Sequence, residues 1–293
     1  MSGGPERAKR ARNELAVGFQ SHVSTHRYPS EDDLRANIRR FADLGLSVNI
    51  SELDVRTSWV PGDQEIRWQA QRVAYQQVVG ACALEPGCEA VTFWGFTDQY
   101  TWINDDAEEL DDPLLLDREY ASKPAYDGVL AGLGGELPAL GNNLVANGDF
   151  VSADESWSVS GGELAVDAAV DRDGFAGCVS GRTVETDGLV QSGLLGQLSL
   201  GGTYFVSAWV RLVGEATDVG AGAWLIVQEE GEEPREQNLA WVSATDTDWI
   251  QLTGNFTLGF NATPTAIDLA IDGPPADVEL CVADVRLQPL TVP

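Results

Sequence analysis

The sequence has very little positive charge and no long apolar run. Among its 293 residues, 18 lysines and arginines face 46 aspartates and glutamates, for a formal charge of −28, and only Lys9 and Lys123 are lysines. A surface of this kind repels phosphate, which argues against nucleic acid and anionic membranes as partners. No segment reaches the ~20 apolar residues that a membrane helix needs. No signal peptide is visible near the start. A neutral polysaccharide meets no such repulsion.

Residues able to do chemistry concentrate in three short segments of the first half. These are residues 18–22 (GFQSH), residues 50–54 (ISELD) and residues 94–98 (WGFTD), the last followed by Trp102. Gln20 and His22 are two residues apart, as are Glu52 and Asp54, and in a strand this spacing places each pair on one face. If the strands are neighbours, two carboxylates and an imidazole converge beside a tryptophan. Such a cluster suits a sugar.

The three segments, in this order, resemble glycoside hydrolase family 10, the retaining endo-β-1,4-xylanases built on an eightfold β/α barrel. The resemblance runs from about residue 10 to residue 133 and covers strands six to eight of the barrel. It implies that Glu52 is the nucleophile and that His22 and Asp54 form the hydrogen-bonded group that holds it. Taken alone, Glu52 would read as a strand-end carboxylate in a surface ion pair.

The same resemblance implies substrate-binding roles for three further residues. Gln20 would contact the sugar, while Trp94 and Trp102 would line the sugar-binding subsites. The alternative for both tryptophans is a place in the barrel core. The Trp-Gly pair, Asp98 and the spacing between the tryptophans favour stacking on sugar.

Two parts of the family pattern have no counterpart in this sequence. These are strands one to five and the strand-four Asn-Glu segment that carries the general acid/base. A retaining glycosidase needs two carboxyl groups, so the isolated chain is expected to be inactive unless completed. Completion would require a separate N-terminal barrel fragment or self-association; a truncated reading frame or a misassigned start is the alternative.

Local signals place the elements that would carry these segments. Ser30 is a good N-cap for a helix that Gly45 ends. A strand over residues 46–50 then leads to Glu52. Helical spacing predicts a second helix over residues 64–84, followed by a strand over residues 90–94.

In the second half the pattern changes from helical to alternating, which predicts a β-sandwich. Its motifs resemble the carbohydrate-binding modules of families 4, 9 and 22; they are residues 143–150 (NLVANGDF), 179–183 (VSGRT), 202–211 (GTYFVSAWVR) and 283–287 (ADVRL). Thr186 stands where that family usually presents a sugar-stacking tryptophan. Val151 replaces an acidic residue that often lies near a structural calcium, so only Asp284 is left for such a site. No other cofactor is expected.

The four tryptophans of the second half are more typical of a sandwich core than of a sugar platform. They are Trp209, Trp224, Trp241 and Trp249.

The sequence therefore predicts an α/β plus all-β protein. A partial (β/α)8 barrel spans residues 1–132, a linker residues 133–141, and a jelly-roll β-sandwich residues 142–293. The expected function is that of a xylan-degrading glycoside hydrolase fragment with its accessory module. The alternative is a non-catalytic protein whose sandwich binds xylan or another β-glucan. A third hypothesis, suggested by Thr186, is a packing module that binds no sugar.

Four cysteines fall as two plausible pairs. Cys82 and Cys88 bracket a helix-to-strand turn that five intervening residues can close, and family 10 enzymes often carry a disulfide there. Cys178 and Cys281 are the remaining candidates; the alternative is buried free thiols. Two disulfides would indicate an oxidising, extracellular setting for the parent enzyme.

The charge balance predicts that the fold requires salt, as in proteins of halophiles; an ordinary acidic secreted protein is the alternative. Self-repulsion strains the fold at low ionic strength, whereas ~1 M salt shortens the screening length to ~3 Å. Circular dichroism and thermal unfolding should therefore show a gain of structure and a higher Tm between dilute buffer and molar sodium chloride. Loss of structure over that range would contradict the prediction.

Overall fold

The computed structural model describes residues 15–58, 60, 63–104, 111–214, 218–259 and 262–292. The first fourteen residues of the predicted first domain lie outside the described residues. None of the helices within these ranges has the length and apolarity needed to cross a bilayer.

The first half forms a small parallel sheet with packed helices. Its elements are β1 (Ala16–Phe19), β2 (His22–Ser24), α1 (Glu31–Asp43), β3 (Ser47–Arg56), α2 (Gln64–Leu84), β4 (Cys88–Phe93) and α3 (Pro124–Leu133). Strand β3 pairs in parallel with β1, with β2 and with β4. The sheet is therefore the β/α part of the predicted fold, with β3 as its central strand.

The extended segment is interrupted between β1 and β2. Ser21 has a φ of 62°, a left-handed conformation that is uncommon for a residue with a Cβ. The expectation that Gln20 and His22 share one face of a continuous strand is therefore wrong. Gln20 lies exposed in the turn, while His22 begins β2 opposite Asp54.

Both long helices begin at side-chain caps. The hydroxyl of Ser30 accepts a hydrogen bond from the backbone N–H of Asp33, and Asp63 accepts one from Ile66. These caps satisfy donors that the first helical turn leaves free. The helices cover apolar residues of β3, including Ile50, which is fully buried.

The second half consists of two antiparallel sheets. The elements are β5 (Ala139–Leu140), β6 (Ser158–Val159), β7 (Glu163–Ala168), β8 (Phe175–Ser180), β9 (Leu189–Gln191), β10 (Thr203–Val213), β11 (Val219–Glu229), β12 (Arg235–Ala244), β13 (Ile250–Thr257), β14 (Pro264–Asp272) and β15 (Glu279–Thr291). One sheet has the order β13-β10-β15-β8-β7, with β5 added to β15, and the other the order β12-β11-β14-β9-β6. Buried apolar residues of both sheets form one core. The predicted fold class, a partial parallel α/β region followed by a β-sandwich, is confirmed.

The predicted linker is tied to the sandwich. Strand β5 lies within residues 133–141, and Leu140 pairs with Leu290 of β15. The connection between the halves therefore adds a short strand to the sandwich.

The tryptophans of the sandwich do not lie where the sequence suggested. Trp209, Trp224, Trp241 and Trp249 are all outside the buried core, and the side chain of Trp241 is 49% exposed. Trp157 is the tryptophan that the core buries. The expectation of four core tryptophans is wrong because both faces of these strands carry large apolar side chains, so alternation alone does not identify the inner face.

The edge strand β13 of the sandwich pairs with the loop that follows β2. The backbone N–H of Tyr28 donates to the carbonyl of Asn255 at 3.1 Å, and the N–H of Asn255 donates back to Tyr28 at 3.0 Å. A third bond runs from the N–H of Thr257 to the carbonyl of Thr25 at 3.0 Å. Because an unpaired strand edge exposes backbone donors and acceptors, this contact satisfies groups in both halves.

Buried side chains reinforce the same contact. Asn255 is 1% exposed and donates through Nδ2 to Oε1 of Gln77 in α2 at 2.9 Å. Gln77 in turn donates through Nε2 to the carbonyl of Pro29 at 2.9 Å. The two halves are therefore joined by a polar network that is closed to solvent.

Two disulfides are present. Cys82 is bonded to Cys88 at the end of α2, and Cys178 of β8 to Cys281 of β15. The second bridge joins neighbouring strands that are 103 residues apart in sequence. Neither leaves a free thiol.

The interface predicts a measurable loss of stability for Asn255→Ala. The substitution leaves the buried Oε1 of Gln77 without its donor, which typically costs about 1–3 kcal/mol. Thermal unfolding at constant salt should show a lower Tm for this variant. Asn142→Ala, at an exposed position, serves as the matched control and should leave Tm within error; equal Tm values for both variants would contradict the proposed contribution.

Candidate active site

Strand β3 carries the two carboxylates of the candidate site. Glu52 and Asp54 lie two residues apart on it, with side chains that are 23% and 0% exposed. Glu52 can therefore reach a ligand, whereas Asp54 is enclosed by protein. The alternation of the strand places both on the same face.

His22 bridges these carboxylates from the neighbouring strand. Its Nδ1 lies 3.0 Å from Oδ2 of Asp54, and its Nε2 lies 3.2 Å from Oε2 of Glu52. The parallel register sets this geometry, because His22 pairs directly with Asp54. Each ring nitrogen that carries a proton donates to the carboxylate it faces. His22 thereby fixes the orientation of the Glu52 carboxylate.

Trp102 completes the support from the segment after β4. Its indole Nε1 donates to Oδ2 of Asp54 at 2.9 Å, and its ring centroid lies 5.1 Å from that of His22. Burial raises the pKa of Asp54, and the hydrogen bond from Trp102 and the nearby His22 oppose that rise. The other carboxylate oxygen, Oδ1, is buried and has no hydrogen-bond partner in the part of the chain that the structure describes.

Two tryptophans present flat surfaces beside the carboxylates. Trp94 is 46% exposed and Trp102 45% exposed. The ring of Trp94 lies 6.3 Å from the ring of His22. Exposed indole faces next to a carboxylate are suited to stacking against sugar rings. The structure thus brings together five of the six predicted site residues, while Gln20 forms no side-chain hydrogen bond within the described residues.

A buried ion pair that the sequence reading did not single out holds the loop of Trp102. The ammonium of Lys123 donates to Oδ2 of Asp98 at 2.7 Å, and both side chains are fully buried. Asp98 also accepts from the backbone N–H of Leu114 at 2.7 Å. Burial raises the pKa of Asp98 to about 6 and lowers the pKa of Lys123. The sequence feature that could have indicated this ion pair is Lys123, which is one of only two lysines in the chain.

The sandwich carries a separate groove on its five-stranded sheet. The groove encloses about 300 Å³ and is lined by residues that include Trp224, Trp241, Asp272 and Thr186. The rings of Trp224 and Trp241 meet edge to face at 6.2 Å. Burial raises the pKa of Asp272 to about 6. Aromatic rings beside a carboxyl group form a surface that can bind a sugar.

Asp284 lies away from this groove and is paired. Its carboxylate accepts a hydrogen bond from Nη2 of Arg172, whose guanidinium lies 4.4 Å from the ring centroid of Trp209. The residue that the resemblance left for calcium is therefore held in an ion pair.

Comparison with protein families matches both halves of the chain. Residues 11–132 match glycosyl hydrolase family 10, and residues 142–277 match a carbohydrate-binding domain family. These matches confirm the resemblances that the motifs indicated.

Individual relatives cover the first half. Endo-1,4-β-xylanase A of Humicola insolens is 40% identical over 117 residues, which are 40% of this chain and 31% of the relative. Endo-1,4-β-xylanase B of Thermotoga neapolitana is 33% identical over 110 residues, 38% of this chain and 31% of the relative. The chain thus spans about a third of the length of these curated relatives.

Solved structures cover each half separately. A xylan-binding domain from Paenibacillus barcinonensis is 16% identical with a TM-score of 0.46, covering 52% of this chain and 97% of that domain. Xylanase 10B from Thermotoga maritima is 33% identical with a TM-score of 0.37, covering 41% of this chain and 36% of that enzyme.

The buried ion pair predicts a non-additive effect of substitution. Lys123→Met leaves the carboxylate of Asp98 buried and unpaired, which typically costs about 3–5 kcal/mol. The double variant Asp98→Asn/Lys123→Met removes both charges and should regain part of that loss. Urea unfolding of both variants at constant salt measures the difference; equal stability of the single and double variants would contradict the coupling.

Proposed function

We propose that this chain, which contains a partial glycosyl hydrolase family 10 domain followed by a carbohydrate-binding domain, supplies the nucleophile side of a retaining endo-1,4-β-xylanase site. The observation that carries the proposal is the chain of contacts from Glu52 through His22 to Asp54 and Trp102. It holds one partly exposed carboxylate in a fixed orientation beside exposed aromatic faces.

In the proposed reaction, Glu52 attacks the anomeric carbon of a xylose residue as the bond to the leaving oxygen breaks. A second carboxyl group protonates that oxygen. The glycosyl ester on Glu52 is then cleaved by water, which the second group activates, and Glu52 leaves as a carboxylate. His22 holds Glu52 in line for both steps. Trp94 and Trp102 would stack against the sugar and position its ring.

Asp54 does not fit the role of the second carboxyl group. Its side chain is fully buried, and its Oδ2 accepts bonds from both His22 and Trp102. We therefore propose that the acid/base comes from a complementary barrel segment. Among the described residues β4 pairs with β3 on one side only, so its other edge offers free backbone groups to such a segment.

A non-catalytic binding role is the second candidate, and the groove at Trp224, Trp241 and Asp272 favours it. In this candidate the sandwich binds xylan or a related β-glucan whether or not the barrel portion is completed. The two roles are compatible in one chain. The disulfides fit the extracellular setting in which such polysaccharides occur.

Completion predicts a gain of hydrolysis that depends on Glu52. The full chain is mixed with the N-terminal barrel segment of a family 10 xylanase, and release of reducing sugar from xylan is measured. We expect activity in the mixture and a loss of ~10,000-fold or more with Glu52→Ala, as for removal of other nucleophiles.

The matched control is Glu163→Ala, which removes an exposed carboxylate of the sandwich and should preserve activity. Azide offers a second readout, since a small external nucleophile should restore turnover of an activated aryl xyloside by Glu52→Ala. A complex that forms without any hydrolysis, or full activity of Glu52→Ala, would contradict the catalytic role.

The binding role predicts that Trp241→Ala weakens affinity for neutral xylo-oligosaccharides by about tenfold, the effect of removing a central aromatic contact. Isothermal titration with the full chain measures this change. Tyr126→Ala, at an exposed aromatic position of α3, is the control and should bind as the parent chain does. Unchanged affinity for Trp241→Ala would remove the groove as the binding site.

A further inference from the structure

A large cavity lies between the two halves of the chain. This intermodule cleft has a volume of about 630 Å³ and is lined by His22, Arg27 and Arg56 of the barrel portion and by Trp241 and Thr253 of the sandwich. Because His22 contacts Glu52, the cleft opens directly beside the candidate active site. It is wide enough for a sugar unit attached to a bound chain.

The cleft presents guanidinium groups in a chain that is otherwise strongly acidic. Arg56 lies with its guanidinium 5.8 Å from the ring centroid of Trp102, and within the described part of the chain its N–H groups have no hydrogen-bond acceptor. Arg27 donates from Nη1 to Oδ1 of Asn238 across the interface. Since a guanidinium has five N–H donors in a planar fork, both arginines retain donors for a ligand.

The acidic residue in the cleft is already engaged. Asp33 accepts hydrogen bonds from the hydroxyls of Ser30 and Thr253. Burial lowers the pKa of the nearby His26, and the guanidinium groups of Arg235 and Arg27 lower it further. The cleft lining thus carries two guanidinium groups and one carboxylate, in a chain whose formal charge is −28.

We propose that the intermodule cleft binds the carboxylate of a uronic acid substituent on a xylose-based chain, with Arg56 and Arg27 as its donors. This inference rests on the proposed function, because the xylose chain itself would lie against Trp94 and Trp102. Guanidinium and carboxylate form bidentate, charge-assisted hydrogen bonds. A neutral sugar cannot use those donors equally well.

High salt favours recognition of the uronic acid by direct contact over long-range attraction or repulsion. At ~1 M ionic strength the screening length is ~3 Å, so repulsion between the acidic surface and an anionic sugar is removed. Direct hydrogen bonds at contact distance are screened much less. If the chain requires salt, as its charge balance predicts, it can therefore select an acidic substituent by close contact.

The test compares two ligands that differ only at the carboxyl group. One is a xylo-oligosaccharide carrying a single glucuronic acid, and the other is the same molecule after reduction of its carboxyl group to an alcohol. Isothermal titration with the full chain, at a salt concentration that keeps it folded, should show about tenfold tighter binding of the acidic ligand.

Arg56→Gln and Arg27→Gln should each remove most of that difference while leaving affinity for the reduced ligand unchanged. Arg40→Gln, which makes the same charge change at an exposed position of α1, should preserve it. Because Arg27 also joins the two halves, Tm is measured for every variant, and Arg56→Gln decides the question if Arg27→Gln unfolds.

The outcomes separate this inference from the proposed function. Equal binding of the two ligands, or a preference that both arginine variants retain, would overturn the uronic acid site while leaving the proposed function intact. If the chain binds neither ligand, the proposed xylan binding fails and this inference fails with it.

Discussion

The rest of the structure depends on the pairing between edge strand β13 and the loop after β2. The parallel sheet of the first half is only three strands wide, because β1 and β2 both pair with the same side of β3. Such a sheet has few internal contacts, and its loops would otherwise expose unpaired backbone groups. The reciprocal bonds between Tyr28 and Asn255 supply partners for that loop. The side-chain bond from Asn255 to Gln77 extends the same contact into α2. The sandwich thus packs against the barrel portion and satisfies its exposed backbone groups.

The contact between the sandwich and this loop also lies close to the candidate active site. His22 lies only a few residues before Thr25, whose carbonyl accepts from the sandwich. The loop that follows His22 is therefore held by backbone hydrogen bonds to the sandwich. The sequence indicates that the sandwich is a separate module. In this chain it nevertheless contacts the loop that leads to the candidate site. The sandwich and the candidate site therefore contact the same short stretch of backbone, residues 22–28.

Local features were predictable from the sequence, whereas long-range contacts were predictable only where a family motif or a cysteine pair marked them. The helix predicted over residues 64–84 is observed as Gln64–Leu84, because helical spacing and capping are encoded in adjacent residues. The approach of His22 to Glu52 followed from strand spacing and the family motifs. The outward direction of Trp241 did not follow, since alternation marks two faces without naming the inner one. The bond between Asn255 and Gln77 joins residues 178 apart, and neither residue type marks an interface.

The bridge between Cys178 and Cys281 restricts the unfolded chain as well as the folded one. It closes a loop of about 100 residues, and closure of a loop that long removes much of the freedom of the unfolded chain. Strand β13 lies inside that loop. The strand edge that pairs with residues 25–28 therefore belongs to a segment whose freedom in the unfolded state is already reduced.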